Sequence, residues 1–355
     1  MLSIIVATKN RPLFLRRLLQ YLAAVQCPYP IYIGDSSEAP EVEKNTETIK
    51  SLKGALPIFY HLYPELEVGP CYAKLGQLVS TPYCVCVADG AFLVIKNLSK
   101  CVDFLEANKD YAMAHGISIL FQLEGEGPHG VFRDEVGSNL LTVLEQKSAA
   151  ERLAAHCSHY LVPLYSVMRT PVWQAIWSHS GLIKNPSIGG EVLASCHSVI
   201  FGKIKQLDCL YLVRHMHNRR TRLETIDQWF LKPDWSETYQ VLRDCLASEL
   251  AKQDVIPIEQ AYEIVDKIFA IYVRNQYRYG FLKTNPTFYS RLKATMKRIP
   301  GMRNRVLPLK KMIKAYFNKK DISLRALRRS SSPYHDDFMP IYQIVTQSKD
   351  ASRSF

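Results

Sequence analysis

The feature that most limits how this chain can fold is the alternation of its first 120 residues between short β-branched runs and segments of helical period. Ser3–Ala7 is a β-branched run. In "RPLFLRRLLQYLAAVQ" the apolar positions 14, 15, 18, 19, 22 and 23 recur at helical spacing, and Pro12 suits a first helical turn. "PIYIGDSS" reads as a second strand ending in Asp35. Glu43–Lys53 follows as helix, "PIFYHLY" as strand, Tyr72–Ser80 as helix and "YCVCVAD" as strand. "NLSKCVDFLEANKD" then reads as helix and "YAMAHGISILFQL" as strand. This order predicts an α/β domain with a largely parallel sheet flanked by helices. Such sheets bind ligands beyond the carboxyl ends of their strands. Thr8, Lys9, Asn10, Arg11, Asp35, Ser36 and Asp89 all fall at such ends.

Several function classes are disfavoured. No GxGxxG follows the first strand and no GxxxxGK[ST] occurs, which argues against dinucleotide oxidoreductases and P-loop enzymes. The first loop, "TKNRP", has no glycine, so it suits side-chain contacts with a base or phosphate better than a backbone cradle. Nine cysteines without a CxxC pair are expected to be buried thiols of a cytosolic protein, not disulfides or zinc ligands. The opening "MLSIIVATKNRP" has no basic stretch ahead of an apolar run, so no secretory signal is expected. No run reaches the ~18 uninterrupted apolar residues of a membrane span; the nearest, Leu78 to Ile95, is broken by Pro82 and Asp89.

Beyond residue 120 the pattern continues less regularly. Glu145–His159 reads as helix, and "PVWQAIWSHSG" as a short helix with Trp173 and Trp177 one turn apart. "NPSIGGEVLASCHSVIFGK" is a turn into a helix that opens with Glu191, and a last strand lies near 207–214. Residues 236–284 read as two amphipathic helices. The expected division is 1–217 for the α/β domain and 218–355 for a helical, basic C-terminal region.

At this point the sequence resembles the GT-A glycosyltransferases, in particular the family-two-like enzymes of bacterial surface-polysaccharide synthesis. The residues that carry the resemblance are "LSIIVATKNRP", "PIYIGDSS", "STPYCVCVADGAFL" and "GGEVLASCHSVIFGKI", with "LDCLYLVRH" after it, in that order. The resemblance implies transfer of a sugar, with inversion, from a nucleotide-activated donor to a glycan or lipid-linked acceptor. It implies Thr8, Asn10 and Arg11 near the nucleotide, Asp35 on the base, and Glu191 as the general base that takes a proton from the acceptor hydroxyl. A helix N-terminus is expected to hold Glu191 ionised.

The family's acid-rich motif binds Mg²⁺ or Mn²⁺ across the donor diphosphate. Here it is reduced to Asp89-Gly90-Ala91. Three readings stay open. Lys74, Arg214, His215 and His217 neutralise phosphate while Asp89 meets the donor; or Asp89 holds a metal weakly, aided by His215; or the domain binds without catalysing, as a scaffold subunit. Trp173 and Trp177 are candidates to stack on an acceptor sugar.

The net charge of +12 is local. Residues 288–330 hold fourteen Lys or Arg against one acid, Asp321, so the rest of the chain is close to neutral. Leu309, Met312, Ile313, Tyr316 and Phe317 lie at helical spacing beside Lys310, Lys311 and Lys314. That is the pattern of an interfacial helix on an anionic bilayer. A cytoplasmic protein, peripheral at the inner face of the membrane, is therefore expected. No nucleic-acid-binding motif accompanies the charge, and no nucleic acid is expected as a partner.

Overall fold

The computed structural model describes residues 1–133, 137–138, 141–217, 224–284 and 321–347. The expected α/β class is the observed one. Its strands are Leu2–Thr8 (β1), Ile31–Asp35 (β2), Ile58–Leu62 (β3), Tyr83–Cys86 (β4), Ala91–Leu93 (β5), Tyr111–Phe121 (β6), Gly137–Ser138 (β7), Val167–Arg169 (β8) and Lys203–His215 (β9). Among the described residues they form one sheet in the order β3-β2-β1-β4-β8-β6-β9-β5, with β7 beside β6. Strands β1 to β4, β6 and β9 run one way, and the short β5, β7 and β8 run against them.

β1 is central because its run is apolar on both faces. Ile4, Ile5 and Val6 are fully buried. Alternate residues serve opposite cores: Leu2, Ile4 and Val6 face one cluster and Ile5 the other. Each such side chain stabilises the fold by roughly 1.5–3 kcal/mol.

Helix Pro12–Ala24 (α1) covers the first face together with Ile95–Ala107 (α4). Ala39–Ser51 (α2) packs beside α1. The second face is covered by Val68–Leu78 (α3), Ala149–Ser158 (α5), Thr170–Trp177 (α6) and Leu193–Ile200 (α7). α5 starts at Ser148, whose hydroxyl accepts from the Glu151 N–H while the Glu151 carboxylate accepts from Ser148.

Helices beyond residue 217 contribute to both cores. Ile226–Phe230 (α8), Trp235–Asp254 (α9) and Ile258–Thr284 (α10) join the second core through Trp229, Leu242, Leu246, Leu250, Val265 and Phe269. Leu324–Leu327 (α11) and His335–Thr346 (α12) return to the first core, where Leu327, Phe338, Ile341 and Val345 are fully buried. The Gly130 N–H donates to the Val345 carbonyl at 3.0 Å, and Asn97 Nδ2 donates to Asp337 at 2.9 Å. A sheet buried on both faces needs cover on both, and the C-terminal helices supply part of each. The proposed interfacial stretch around 309–317 lies outside the described residues. No described helix is long and apolar enough to cross a membrane.

β2 and β3 lie on one side of β1, and β4 lies on the other. The connections therefore diverge at the β1/β4 edge, the switch point at which an open α/β sheet leaves a crevice.

Candidate functional site

Thr8 ends β1 and stands in register with Asp35 at the end of β2. Asp89 follows β4 three residues beyond its last strand position. All three therefore reach the same end of the sheet, but they do different work.

Asp89 is the buried acid of the crevice. Thr8 Oγ1 donates to its Oδ2 at 3.0 Å, and Arg11 Nε approaches the same oxygen at 3.1 Å. Its Oδ1 is buried without a hydrogen-bond partner among the described residues. Burial pushes the Asp89 carboxyl above its usual range, against the pull of Arg11, Thr8 and Arg17.

Asp35 is fully buried and holds the neighbouring loop. Its Oδ2 accepts from Asn45 Nδ2 at 2.7 Å and Tyr60 OH at 2.6 Å, and its Oδ1 accepts from the Ser37 N–H at 2.8 Å. Three donors from the chain itself occupy it, so it shapes the site and presents no exposed surface to a base.

Asn10 links this loop to the first one. Its N–H donates to Ser37 Oγ at 2.8 Å, and its side-chain carbonyl accepts from the Glu38 N–H at 2.9 Å. Asn10 has φ of 55°, a left-handed conformation that asparagine tolerates better than most residues. Lys9 reaches Glu67, just ahead of α3, at 3.4 Å. The polar first loop is thus tied to both of its neighbours, and Arg11 at the head of α1 is directed at Asp89.

The end of β9 closes the other flank. Arg214 is in register with Ala91, two residues from Asp89, and its guanidinium lies 4.8 Å from the Tyr165 ring centroid. The His215 N–H donates to the Gly90 carbonyl at 3.0 Å. His215 stacks on Phe121 at 4.8 Å, and His217 on Phe14 at 4.3 Å. Burial, with Arg17 and His217 nearby, pushes the His215 imidazole down to about 3. His215 is therefore a neutral, packed ring. His217 covers Gly90 so closely that a Cβ there would lie 2.9 Å from His217 Nε2.

Glu191 is half-buried ahead of α7. It falls in a single π-helical turn, Ile188–Val192, that leads into α7. Tyr160 OH donates to its Oε1 at 3.5 Å. The expected stabilisation of its charge by a helix terminus is not the dominant effect. Burial raises the Glu191 carboxyl above its ordinary value, while Tyr160 and Arg214 pull it down. Arg214, in register with Ala91 and stacked on Tyr165, is also a group that draws the Glu191 carboxyl down.

Other expected residues lie elsewhere. Lys74 is exposed on α3, turned away from that helix's buried stripe. Trp173 and Trp177 are 0% and 1% exposed and pack against Tyr72. Trp173 Nε1 donates to the Tyr72 carbonyl, and a Cβ on Gly76 would strike the Trp173 ring at 2.5 Å. They belong to the core and offer no face to a sugar. All nine cysteines are free, and all but Cys245 are buried.

One residue of the site escaped the sequence reading. Arg17 is fully buried beneath the Asp89-Gly90 turn. It donates to the Pro128 carbonyl, approaches His215 Nδ1 at 3.4 Å and reaches the Gly90 carbonyl at 3.5 Å. Its guanidinium lies over Phe92 at 4.8 Å. Burial lowers its pKa to about 9, and Asp89 opposes the shift. The available signal was positional: Arg17 falls three residues after Phe14 and four before Tyr21, inside the apolar stripe of α1.

These residues do not make a protein site for Mg²⁺ or Mn²⁺. Asp89 Oδ1 is one hard donor, but Oδ2 is taken by Arg11 and Thr8. No group of three His, Cys, Asp or Glu side chains suited to a metal occurs among the described residues. The side chains that crowd Asp89 are guanidinium groups.

No family model matches the chain, and no curated protein matches it. Among solved structures it is similar to S. aureus TarS 1–349 in complex with UDP-GlcNAc. That likeness has a TM-score of 0.49 and 14% identity over 84% of this chain and 81% of the other. The longer S. aureus TarS gives 0.48 and 13%, covering 84% of this chain and 49% of that one. HddC from Yersinia pseudotuberculosis gives 0.31 and 11%, over 49% of this chain and 79% of the other. Likenesses this distant carry no inference about chemistry, which rests on the crevice itself.

Proposed function

We propose that this chain is a glycosyltransferase that moves a sugar from a nucleotide-activated donor to a glycan or lipid-linked acceptor in surface polysaccharide synthesis. The observation that carries the reading is the cluster of polar strand-end groups around the buried Asp89 at the sheet's switch point. Asp89 is held there by Thr8 and Arg11, and Glu191, half-buried ahead of α7, accepts from Tyr160 and has a raised pKa. A carboxylate whose pKa is raised above the ordinary range suits a general base.

In the proposed step the acceptor oxygen attacks the anomeric carbon and its proton passes to Glu191. The bond from that carbon to the leaving phosphate breaks, and its electron pair stays on the phosphate oxygen. A single displacement inverts the anomeric centre. Thr8, Asn10 and Arg11 lie where a nucleotide would enter, on a loop cross-linked to Ser37 and Glu38. Asp89 Oδ1 is left to meet the donor sugar or ribose. The basic composition of residues 288–330 supports work at an anionic, cytoplasmic membrane face.

The test is turnover of a panel of nucleotide sugars, followed by release of the nucleotide. Glu191→Gln should lower the rate by about 10²–10⁴-fold while nucleotide binding persists. A Gln variant with full turnover removes Glu191 as base. A chain that turns over no donor, yet binds glycan, is a binding subunit and not an enzyme.

A further inference from the structure

We propose that the donor's diphosphate is carried by the guanidinium groups of Arg11 and Arg214, in place of a divalent cation. This rests on the glycosyltransferase reading and adds the means of leaving-group stabilisation. The shape of the Asp89 turn argues for it. Position 90, where a second acid would stand, is covered by His217, which a Cβ would meet at 2.9 Å. Position 91 is 1% exposed and lies in β5 opposite Arg214. An acid at 91 would be a buried charge at the sheet's edge rather than a ligand in the crevice. The turn is thus built closed at the two places a metal site would need open.

Cations take up the same space. Arg11 meets Asp89 through Nε on a side chain that is 20% exposed, so part of it remains open to a ligand. Arg214 stacks on Tyr165 and, among the described residues, forms no ion pair within 4 Å. Arg17 lies beneath, buried, as a fixed positive charge. Three guanidinium groups against the carboxyls of Asp89 and Glu191 leave the crevice cationic before any ligand enters. A protein-held metal site has the opposite balance, with an excess of carboxylate. Guanidinium groups match phosphate oxygens in pairs and keep their charge when desolvated. When the anomeric bond breaks, the new charge on the leaving oxygen falls between them, where preorganised donors act most strongly.

The experiment is calorimetric titration of the full chain with UDP, GDP, CDP, ADP and dTDP, once in EDTA and once with Mn²⁺. At least one nucleotide should bind in EDTA, with a Kd that Mn²⁺ changes by less than about twofold. Arg11→Gln should weaken that binding by about tenfold or more in both buffers, and Arg11→Lys by less, since a point charge replaces a paired donor. Arg214→Gln gives an independent reading if the Arg11 variant melts early. Binding that appears only with Mn²⁺, or that survives loss of either arginine unchanged, overturns the inference while leaving the transferase reading intact. No binding of any nucleotide in either buffer removes both.

Discussion

Asp89 is held out of water and Glu191 is half-buried, and the two keep different company. Asp89 shares one oxygen between Thr8 and Arg11, whereas Glu191 accepts a long bond from Tyr160. Ion pairing at full burial fits a group whose charge must stay fixed. A weakly held carboxyl with a raised pKa fits one whose charge must change. The second case predicts a pH profile. A general base works only when ionised, so turnover should rise with pH through the Glu191 pKa, which burial places above the ordinary 4.5. Tyr160 pulls that value down by donating to the carboxylate. In Tyr160→Phe this help is lost, so the acidic limb of kcat/KM should move to higher pH, with the plateau reached later. A limb that stays in place would separate Tyr160 from the base.

At the scale of elements, the π-helical turn of Ile188–Val192 is the part whose geometry the chemistry depends on most. The Leu193 N–H reaches back to the Ile188 carbonyl, which widens the turn and sets the direction of Glu191. Gly189 permits this, because a Cβ there would lie 2.4 Å from the Ile183 carbonyl oxygen. Gly189→Ala must therefore displace backbone. A shift of about 1 Å at a reacting group can cost about 100-fold in rate, so kcat should fall about 10- to 100-fold while nucleotide binding holds. An unchanged kcat would show that the turn does not position the base.

This turn was not legible in the sequence, where "SIGGEVLAS" reads as an ordinary helix start. The regular β1-α1-β2 run was legible, because strand and helix periods each repeat several times over those segments. β5 and β8 are three residues each, too short for a period to register. The site split in the same way. Thr8, Arg11 and Asp89 were legible as strand-end polar residues. Arg17 was not, because one charge within an apolar helical stripe looks like a solvated neighbour until the helix is packed. The return of α12 depends on partners more than two hundred residues away, such as Asn97 for Asp337, and no local pattern encodes that.

Across the whole molecule, the burial that builds the two cores also sets how the protein responds to acid. His156, His197 and His215 lie on different elements, and burial lowers each imidazole to about 3 from an ordinary 6.5. Neighbouring positive groups add to the shift for the latter two. A group with a depressed folded pKa contributes stability that is fully present above its unfolded pKa. That stability is lost as pH falls from there toward the folded value. Each histidine left neutral in the fold steepens the loss by up to about 1.4 kcal/mol per pH unit. Asp89 and Glu191 act in the opposite sense, since their raised values let the folded chain hold protons that the unfolded chain has released. Between about pH 6 and pH 5 three histidines gain protons on unfolding against at most two carboxyls that lose them, so the histidines should set the sign. The denaturant midpoint should therefore drop steadily over that interval. His156 is the place to test this, because neither ring nitrogen has a hydrogen-bond partner among the described residues, and burial is the cause of its shift. His156→Leu removes one proton-binding site from the unfolded chain alone. Its stability should fall off less steeply with acid than that of the parent, by up to about 1.4 kcal/mol per pH unit, whatever its absolute stability at pH 7.5. Two parallel curves would mean that His156 is already protonated in the folded protein.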